Sequence, residues 1–347
     1  MDALARAEKV MRFSAETLTP AELARLFETR ERPRAYIGFE PSGRLTVGHL
    51  VCIRKMRDLQ EAGCDLTIFL ADWHAWINDK LGGSLERIAV AGRYMQAVFT
   101  AFGVDPSKAT YRWASELTGR SEYWARVVQV AKATSLARTK RAMTVLGRSE
   151  EESQLDTAKL FYPAMQVADI FELPAEIAYA GLDQRRAHVL AREVAHHYDW
   201  TPPVALHTPL IPSLSGGGRM DAATDGPIAK MSKSDPANAI PLPATESEIR
   251  EKIRGAFCEA KQVEGNPVVE IARHVLLPWR GTIAVERAAQ HGGPIAFEDA
   301  ASLIAAWSSG SLHPMDLKNA VVRGLSEIVA APSEALKGVP GADGRGL

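Results

Sequence analysis

Polar and apolar positions along this chain alternate between two rhythms. Ala35 to Phe39 (AYIGF) is apolar without a break and stops at Glu40-Pro41-Ser42-Gly43, which predicts a buried strand closed by turn residues. From Val47 to Ala62 the positions Leu50, Ile53, Met56 and Leu59 recur every three residues, as on one face of a helix that ends at Gly63. Asp65 to Ala71 is again a continuous apolar run, the pattern of a strand covered on both faces in a parallel sheet. Leu85 to Phe102 reads as helix, Ala109 to Ala114 as strand, and Ile177 to Gly181 as a short strand leading into a long helix through Glu193. The alternation predicts an α/β fold with a doubly wound parallel sheet, Rossmann-like, whose ligands bind beyond the carboxyl ends of the strands.

Ser121 to Asp169 reads as helical throughout and is too long for a simple crossover, so it is expected to be an insertion. After Pro202-Pro203, SLSGGG (213–218) and Asp225-Gly226-Pro227 flank a mobile loop around Lys230. From Glu246 to Ala330 the pattern is helical without clear strands. The expected organisation is a catalytic domain over 1–223 with the insertion at about 121–169, a loop and linker over 224–242, an all-α domain over 243–330, and a disordered Gly/Pro/Ala-rich tail over 331–347.

Composition narrows the class. With 347 residues, 46% hydrophobic and 24% charged, the chain suits two soluble domains, and its net charge of −1 excludes a basic nucleic-acid coat. Charge is nevertheless uneven: Arg120 to Arg148 holds seven Lys or Arg against Glu122 alone, which suits either a phosphate-attracting patch or a solvated helix face. Cys52, Cys64 and Cys258 have no CxxC spacing, so a reducing cytoplasm is expected rather than a disulfide framework or zinc ribbon. The N-terminal MDALARAEKVMRFSAETL has the alternation of an amphipathic helix and no secretory apolar core, and no run approaches the roughly 18 apolar residues of a membrane span. His196 and His197 are adjacent on a helix, about 100° apart, which disfavours a metal pair.

Two segments carry chemistry. Between the first strand and the following helix lies Gly38-Phe39-Glu40-Pro41-Ser42-Gly43-Arg44-Leu45-Thr46-Val47-Gly48-His49. Gly48 leaves room for a flat base against the backbone, and His49 sits in the first helical turn, where amides and an imidazole meet phosphate oxygens. The second segment, Lys230-Met231-Ser232-Lys233-Ser234, brings two ammonium groups and two hydroxyls on a Gly-flanked loop able to close over a ligand and stabilise departing pyrophosphate.

In this order, across an α/β domain, the two segments resemble the HIGH and KMSKS signatures of class I aminoacyl-tRNA synthetases. YIGFEPSG, LADWHAW, YPAMQVADI, GLDQRRAHVLARE and HPMDLKNAV are similar to the archaeal and eukaryotic tyrosyl-tRNA synthetases, from about Ala35 to Ile328. The resemblance implies that tyrosine is activated by ATP, with Mg²⁺ carried in by ATP, and transferred to the 3′ end of tRNA(Tyr) by a homodimer formed through the helical insertion. It implies that Tyr36 and Asp169 hydrogen-bond the tyrosine phenol, and that Tyr162, Gln166 and Gln184 hold the α-ammonium group. Tyr162, Gln166 and Asp169 are spaced i, i+4 and i+7, one helical face, so one wall can hold both ends of an amino acid. His74 either lines this pocket or is a structural histidine.

For the nucleotide, the matching positions are Gly38, Gly48, His49, Met231, Ser232 and Ser234, with His49, Lys230, Lys233 and Thr46 as the catalytic set. No general base is needed, because the tyrosine carboxylate is already ionised and must only be aligned while charge on phosphorus is stabilised. For tRNA, Arg141 and Arg185 match readers of the first acceptor base pair, and arginine suits a guanine edge. His313 and Asp316 match the anticodon reader; Asp316 also suits a helix N-cap.

The chain departs from the family at Thr46, where the first histidine of HIGH stands. A neutral donor there predicts phosphate stabilisation weaker by about 1–3 kcal/mol, roughly a tenfold to hundredfold slower activation, unless Arg44 compensates. Phe69 and Leu117-Thr118 also differ from the expected lining of the ring pocket. Two other functions fit the same motifs: a paralogue that activates tyrosine or a modified tyrosine for another acceptor, and a catalytically weak binder of tRNA-like RNA.

Overall fold

The computed structural model describes residues 1–142, 156–216, 230–233 and 235–347. Six strands form the main sheet: β1 Glu16–Leu18, β2 Arg34–Phe39, β3 Asp65–Leu70, β4 Ala109–Trp113, β5 Ile177–Gly181 and β6 Val204–Thr208. Their order is β1-β6-β5-β2-β3-β4, parallel except for the edge strand β1. The expected doubly wound sheet is therefore present.

The chain leaves β2 toward β3 and β4 on one side and returns to β5 and β6 on the other, so the order reverses between β2 and β5. These two strands pair only at Ala35↔Ile177 and Tyr36↔Ala178. Beyond Tyr36 they diverge, opening at their carboxyl ends the crevice where such sheets bind ligands. Helices His49–Glu61, Leu85–Ala101, Tyr162–Glu172 and Arg185–His197 flank the sheet, matching the predicted helices to within a few residues.

Several expectations change. The N-terminal helix is present, Ala3–Met11, capped by Asp2, but Glu16–Leu18 leaves it to become β1. The segment 121–169 is not one helical run: it holds Ser121–Lys132, Leu136–Ala142, the 3-10 turn Thr157–Phe161 and the start of Tyr162–Glu172, while 143–155 lies outside the described residues. The basic stretch is partly neutralised by glutamates from other helices. Arg120 and Arg126 pair with Glu172, and Arg138 with Glu193, which local charge arithmetic could not see; Arg148 lies outside the described residues.

The C-terminal region is not all helical. Ile283–Val285 (β7) and Ile295–Phe297 (β8) pair antiparallel, each too short for its alternation to register as a strand in the sequence. The tail is ordered rather than disordered: the helix Pro314–Ala335 runs through Pro332, and Leu336 and Ala342 beyond it are buried. Its composition resembles a solvated tail, yet these two side chains reach apolar surface supplied by distant segments. The linker is also not free. Leu242 N–H donates to Leu45 O at 2.8 Å and Val47 N–H to Ile240 O at 2.9 Å, so residues 240–242 are stitched to the loop before His49. One buried apolar cluster runs from β2 and His49–Glu61 into Pro314–Ala335, and the Trp279 indole N–H donates to Leu50 O at 3.1 Å across that junction.

Candidate active site at the carboxyl ends of β2 and β5

On one side of the crevice, Tyr162–Glu172 presents Tyr162, Gln166 and Asp169 together, as their spacing predicted. Asp169 is 1% exposed. The Tyr123 hydroxyl donates to its Oδ1 at 2.8 Å, and His74 Nε2 stands 3.1 Å from its Oδ2. His74 is itself buried, and although burial opposes its charge, Asp169 outweighs this and raises its pKa above the ordinary 6.5. Each carboxylate oxygen retains a second lone pair for a further donor. Tyr36 faces the same carboxylate: burial and the Asp169 charge both push its phenol well above the usual range, so it remains a neutral donor. A Cβ at Gly38 would stand 2.6 Å from the Tyr36 hydroxyl, so glycine is what lets that ring lie over the strand. Phe69 is fully buried, its ring centroid 5.9 Å from that of Tyr36 and 6.2 Å from that of His74.

At the other end of the wall, the Tyr162 hydroxyl donates to Glu40 Oε1 at 2.6 Å, and Asn78 Nδ2 reaches both Glu40 oxygens at 3.2 and 3.3 Å. Gln166 Nε2 donates to Gln184 Oε1 at 2.9 Å, and Gln184 Nε2 to Asp183 Oδ2 at 3.1 Å. Lys230 forms an ion pair with the same Asp183 oxygen. One hydrogen-bonded series therefore runs from the helix Tyr162–Glu172 to the lysine-bearing loop.

The loop before His49 wraps Thr46 around one edge of its imidazole. The Thr46 backbone N–H points at His49 Nδ1 at 3.0 Å, and the Thr46 carbonyl oxygen lies 3.2 Å from the same nitrogen. Burial, and then the nearby Lys233 charge, push the His49 pKa down to about 3, so the ring is a neutral donor at physiological pH. Thr46 is buried and its Oγ1 also lies 3.1 Å from His49 Nδ1. A Cβ at Gly48 would meet only ordinary contacts, at 3.5 Å or more, so the fold itself does not demand glycine there. Arg44 does not reach toward the lysines: its guanidinium donates to Pro243 O at 2.5 Å, just beyond the linker.

On the opposite loop, Met231 is buried and its N–H donates to Ile211 O at 2.7 Å. Lys233 Nζ lies 3.2 Å from Ser42 Oγ and 3.5 Å from Glu40 O. Burial, with Lys80 and Lys230 nearby, lowers its pKa to about 7 despite the opposing pull of Glu40. Ser232 lies beside it, and Ser234 falls outside the described residues.

The structure thus gathers Tyr36, Gly38, Thr46, Gly48, His49, His74, Tyr162, Gln166, Asp169, Gln184, Lys230, Met231, Ser232 and Lys233 around one crevice. Arg185 follows Gln184, but its guanidinium engages Glu16 at 2.9–3.0 Å. Arg141 lies on the helix Leu136–Ala142, and His313 and Asp316 begin the helix Pro314–Ala335. That helix is capped by His313, whose Nδ1 accepts from Met315 N–H at 3.2 Å, so the cap expected of Asp316 belongs to its neighbour. Sequence reasoning missed Glu40, Asn78, Tyr123 and Asp183. Glu40 and Asp183 lie inside the motif strings and could have been singled out as acids among ligand-facing residues, whereas Tyr123 reaches Asp169 from a separate helix that no local signal connects to it.

The chain matches the family described as tRNA synthetases class I (W and Y) over residues 28–330. It is 45% identical over 346 residues to the tyrosine–tRNA ligase of Aeropyrum pernix, covering 98% of this chain and 95% of that protein. The crystal structure of tyrosyl-tRNA synthetase from the same organism superposes with a TM-score of 0.87 at 41% identity, covering 99% of this chain and 97% of the other. The Archaeoglobus fulgidus tyrosyl-tRNA synthetase complexed with L-tyrosine superposes with a TM-score of 0.86 at 37% identity, over 96% of this chain and 100% of the other.

Proposed function

This chain belongs to the class I tRNA synthetases of the W and Y family, and we infer from that membership and from the site that it is a tyrosine–tRNA ligase. It uses ATP to convert L-tyrosine to tyrosyl-adenylate and passes the tyrosyl group to tRNA(Tyr). The observation that carries the choice of tyrosine is the Asp169 carboxylate, an acceptor-only group buried beside the Tyr36 hydroxyl and already braced by Tyr123 and His74. A phenol satisfies that acceptor. A phenyl ring would bring no donor to its remaining lone pairs in a desolvated site.

In this reading Tyr36 and Asp169 hold the phenol, His74 orients Asp169, and Tyr162, Gln166 and Gln184 hold the ammonium group near the Glu40 carboxylate. A tyrosine carboxylate oxygen attacks the α-phosphorus, the α–β P–O bond breaks, and pyrophosphate leaves with the electron pair. Gly38 and Gly48 leave space for the nucleotide, and Met231, Ser232 and Ser234 belong to its binding loop. The neutral His49 imidazole, the Thr46 hydroxyl and the Lys230 and Lys233 ammonium groups stabilise the phosphate oxygens. Mg²⁺ arrives with the ATP phosphates as part of the substrate. A terminal ribose hydroxyl of tRNA then attacks the tyrosyl carbonyl carbon, and AMP leaves.

Arg141 and Arg185 contact the acceptor end of tRNA, and His313 and Asp316 contact the anticodon. The active form is a homodimer built through the helical insertion, a reading supported by the exposed side chains of Val128, Leu136 and Phe161. A cytoplasmic location is supported by three free cysteines; among the described residues, no helix is long and apolar enough to cross a membrane.

The test is amino-acid-dependent ATP–pyrophosphate exchange across all twenty amino acids. Exchange with tyrosine alone is expected. Exchange strongest with tryptophan, or with none of them, overturns the reading.

A further inference from the structure

The short edge strand β1 places an acidic residue where the reaction described above does not use one. In the antiparallel pairing of β1 with β6, Glu16 stands directly opposite His207. His207 is fully buried, and its Nδ1 lies 2.9 Å from Glu16 Oε2. His207 Nε2 in turn lies 3.0 Å from Nδ1 of His188, which is 1% exposed on the helix Arg185–His197. A carboxylate can only accept, so the arrangement assigns the protons: His188 Nδ1–H donates to His207 Nε2, and His207 Nδ1–H donates to Glu16. Burial lowers the pKa of both rings, that of His188 to about 3, so both imidazoles are neutral at physiological pH.

Glu16 spends its outward side on Arg185. It accepts from Arg185 Nε at 2.9 and 3.0 Å and from Nη2 at 3.0 Å, a side-on fork. Two of the five guanidinium N–H donors lie on the side facing the carboxylate, which leaves the Nη1–Nη2 end. Among the described residues nothing bonds Nη1, and the Arg185 side chain is 37% exposed. That open end has the two-pronged geometry that fits a guanine edge or a phosphate. A simple surface ion pair contributes little to stability and would not require a buried histidine pair behind its acid. The same helix is pinned a second time to the N-terminal segment: Arg192 pairs with Glu22 at 3.0 Å and donates to Leu18 O at 3.3 Å.

We propose that Glu16, seated by His207 and His188, is a positioning residue that orients Arg185 so its free guanidinium end faces the acceptor end of tRNA beside Gln184. The N-terminal strand thereby becomes part of the machinery for tRNA selection while remaining outside amino-acid activation. This rests on the reading of Arg185 as a tRNA contact, and the experiment separates the two.

The test compares Glu16→Gln, Arg185→Ala and the double variant of the full-length protein. It measures tyrosine-dependent pyrophosphate exchange, kcat/KM for tRNA(Tyr) transcript, and the preference between transcripts that differ only in the first acceptor base pair. Glu16→Gln is expected to leave exchange within about twofold while lowering kcat/KM for tRNA about tenfold, chiefly through KM, and narrowing the base-pair preference. On the Arg185→Ala background it should add almost nothing, because it acts through that residue. If Arg185→Ala leaves tRNA kinetics unchanged, the reading of Arg185 falls and the proposal with it. If Arg185→Ala impairs tRNA use and Glu16→Gln does not, or if the two losses add in full, the proposal alone is overturned. An equal loss of exchange and tRNA charging in Glu16→Gln makes Glu16 a structural residue and overturns it as well.

Discussion

Asp169, on the side of the crevice we assign to tyrosine, is 1% exposed and held by two partners from two other helices, whereas Lys230, on the side we assign to the nucleotide, has a side chain 41% exposed and a single carboxylate partner, Asp183. On the first side both carboxylate oxygens are already held by protein groups. The nucleotide side keeps its cations on protein acceptors, Lys230 on Asp183 and Lys233 near Ser42 and Glu40, that phosphate oxygens must replace or join. The contrast follows from the task. Discriminating one hydroxyl needs a fixed, desolvated acceptor, while a leaving group that gains charge during the reaction needs cations that can follow it.

If the tyrosine side is preorganised, Asp169→Asn should do the most damage there. The exchanged amide offers one acceptor oxygen where two were braced, and kcat/KM for tyrosine is expected to fall about a hundredfold, measured by pyrophosphate exchange, with thermal melting checking the fold. A fall of less than about threefold would remove the distinction between the two sides.

The nucleotide side should show its provisional character in pH dependence. With a pKa near 7 in the free protein, Lys233 is ammonium below that pH and loses its charge above it. Its help to phosphate is therefore present at low pH and lost as pH rises, so kcat/KM for ATP is expected to decline by up to about tenfold per unit above pH 7. Lys233→Arg, charged throughout, should flatten that limb even where its altered shape lowers the absolute rate. His49 contributes no ionisation to the profile above about pH 4, since its pKa is near 3. The finest test is Tyr123→Phe, which removes one brace from Asp169. Its expected effect is about a fivefold rise in KM for tyrosine at nearly unchanged kcat, read from steady-state exchange.

The order of strands and helices around the crevice, the two signature segments and the helical wall of Tyr162, Gln166 and Asp169 were legible in the chain itself. Continuous apolar runs and three-residue spacing are local properties, and a helical face follows from residue spacing alone. Thr46 was equally visible, but its setting was not. Its backbone N–H and carbonyl oxygen both meet His49 Nδ1, burial keeps that ring a neutral donor, and Arg44, the cation nearest in sequence, is turned away to Pro243.

Contacts between distant segments were decided only by folding. Tyr123 meets Asp169 across 46 residues and Glu16 meets Arg185 across 169, and the glutamates that neutralise part of the basic stretch come from two other helices. The ordered tail, the β7–β8 pair and the edge strand β1 have the same origin. Each is too short, or too poor in pattern, to be stable by itself, and each exists because the sheet or the shared core supplies a partner for its backbone or its apolar side chains. Local sequence determines which elements can form and which face each presents. Only the tertiary structure decides which buried polar groups meet, because that pairing depends on desolvation at contacts the chain order does not record.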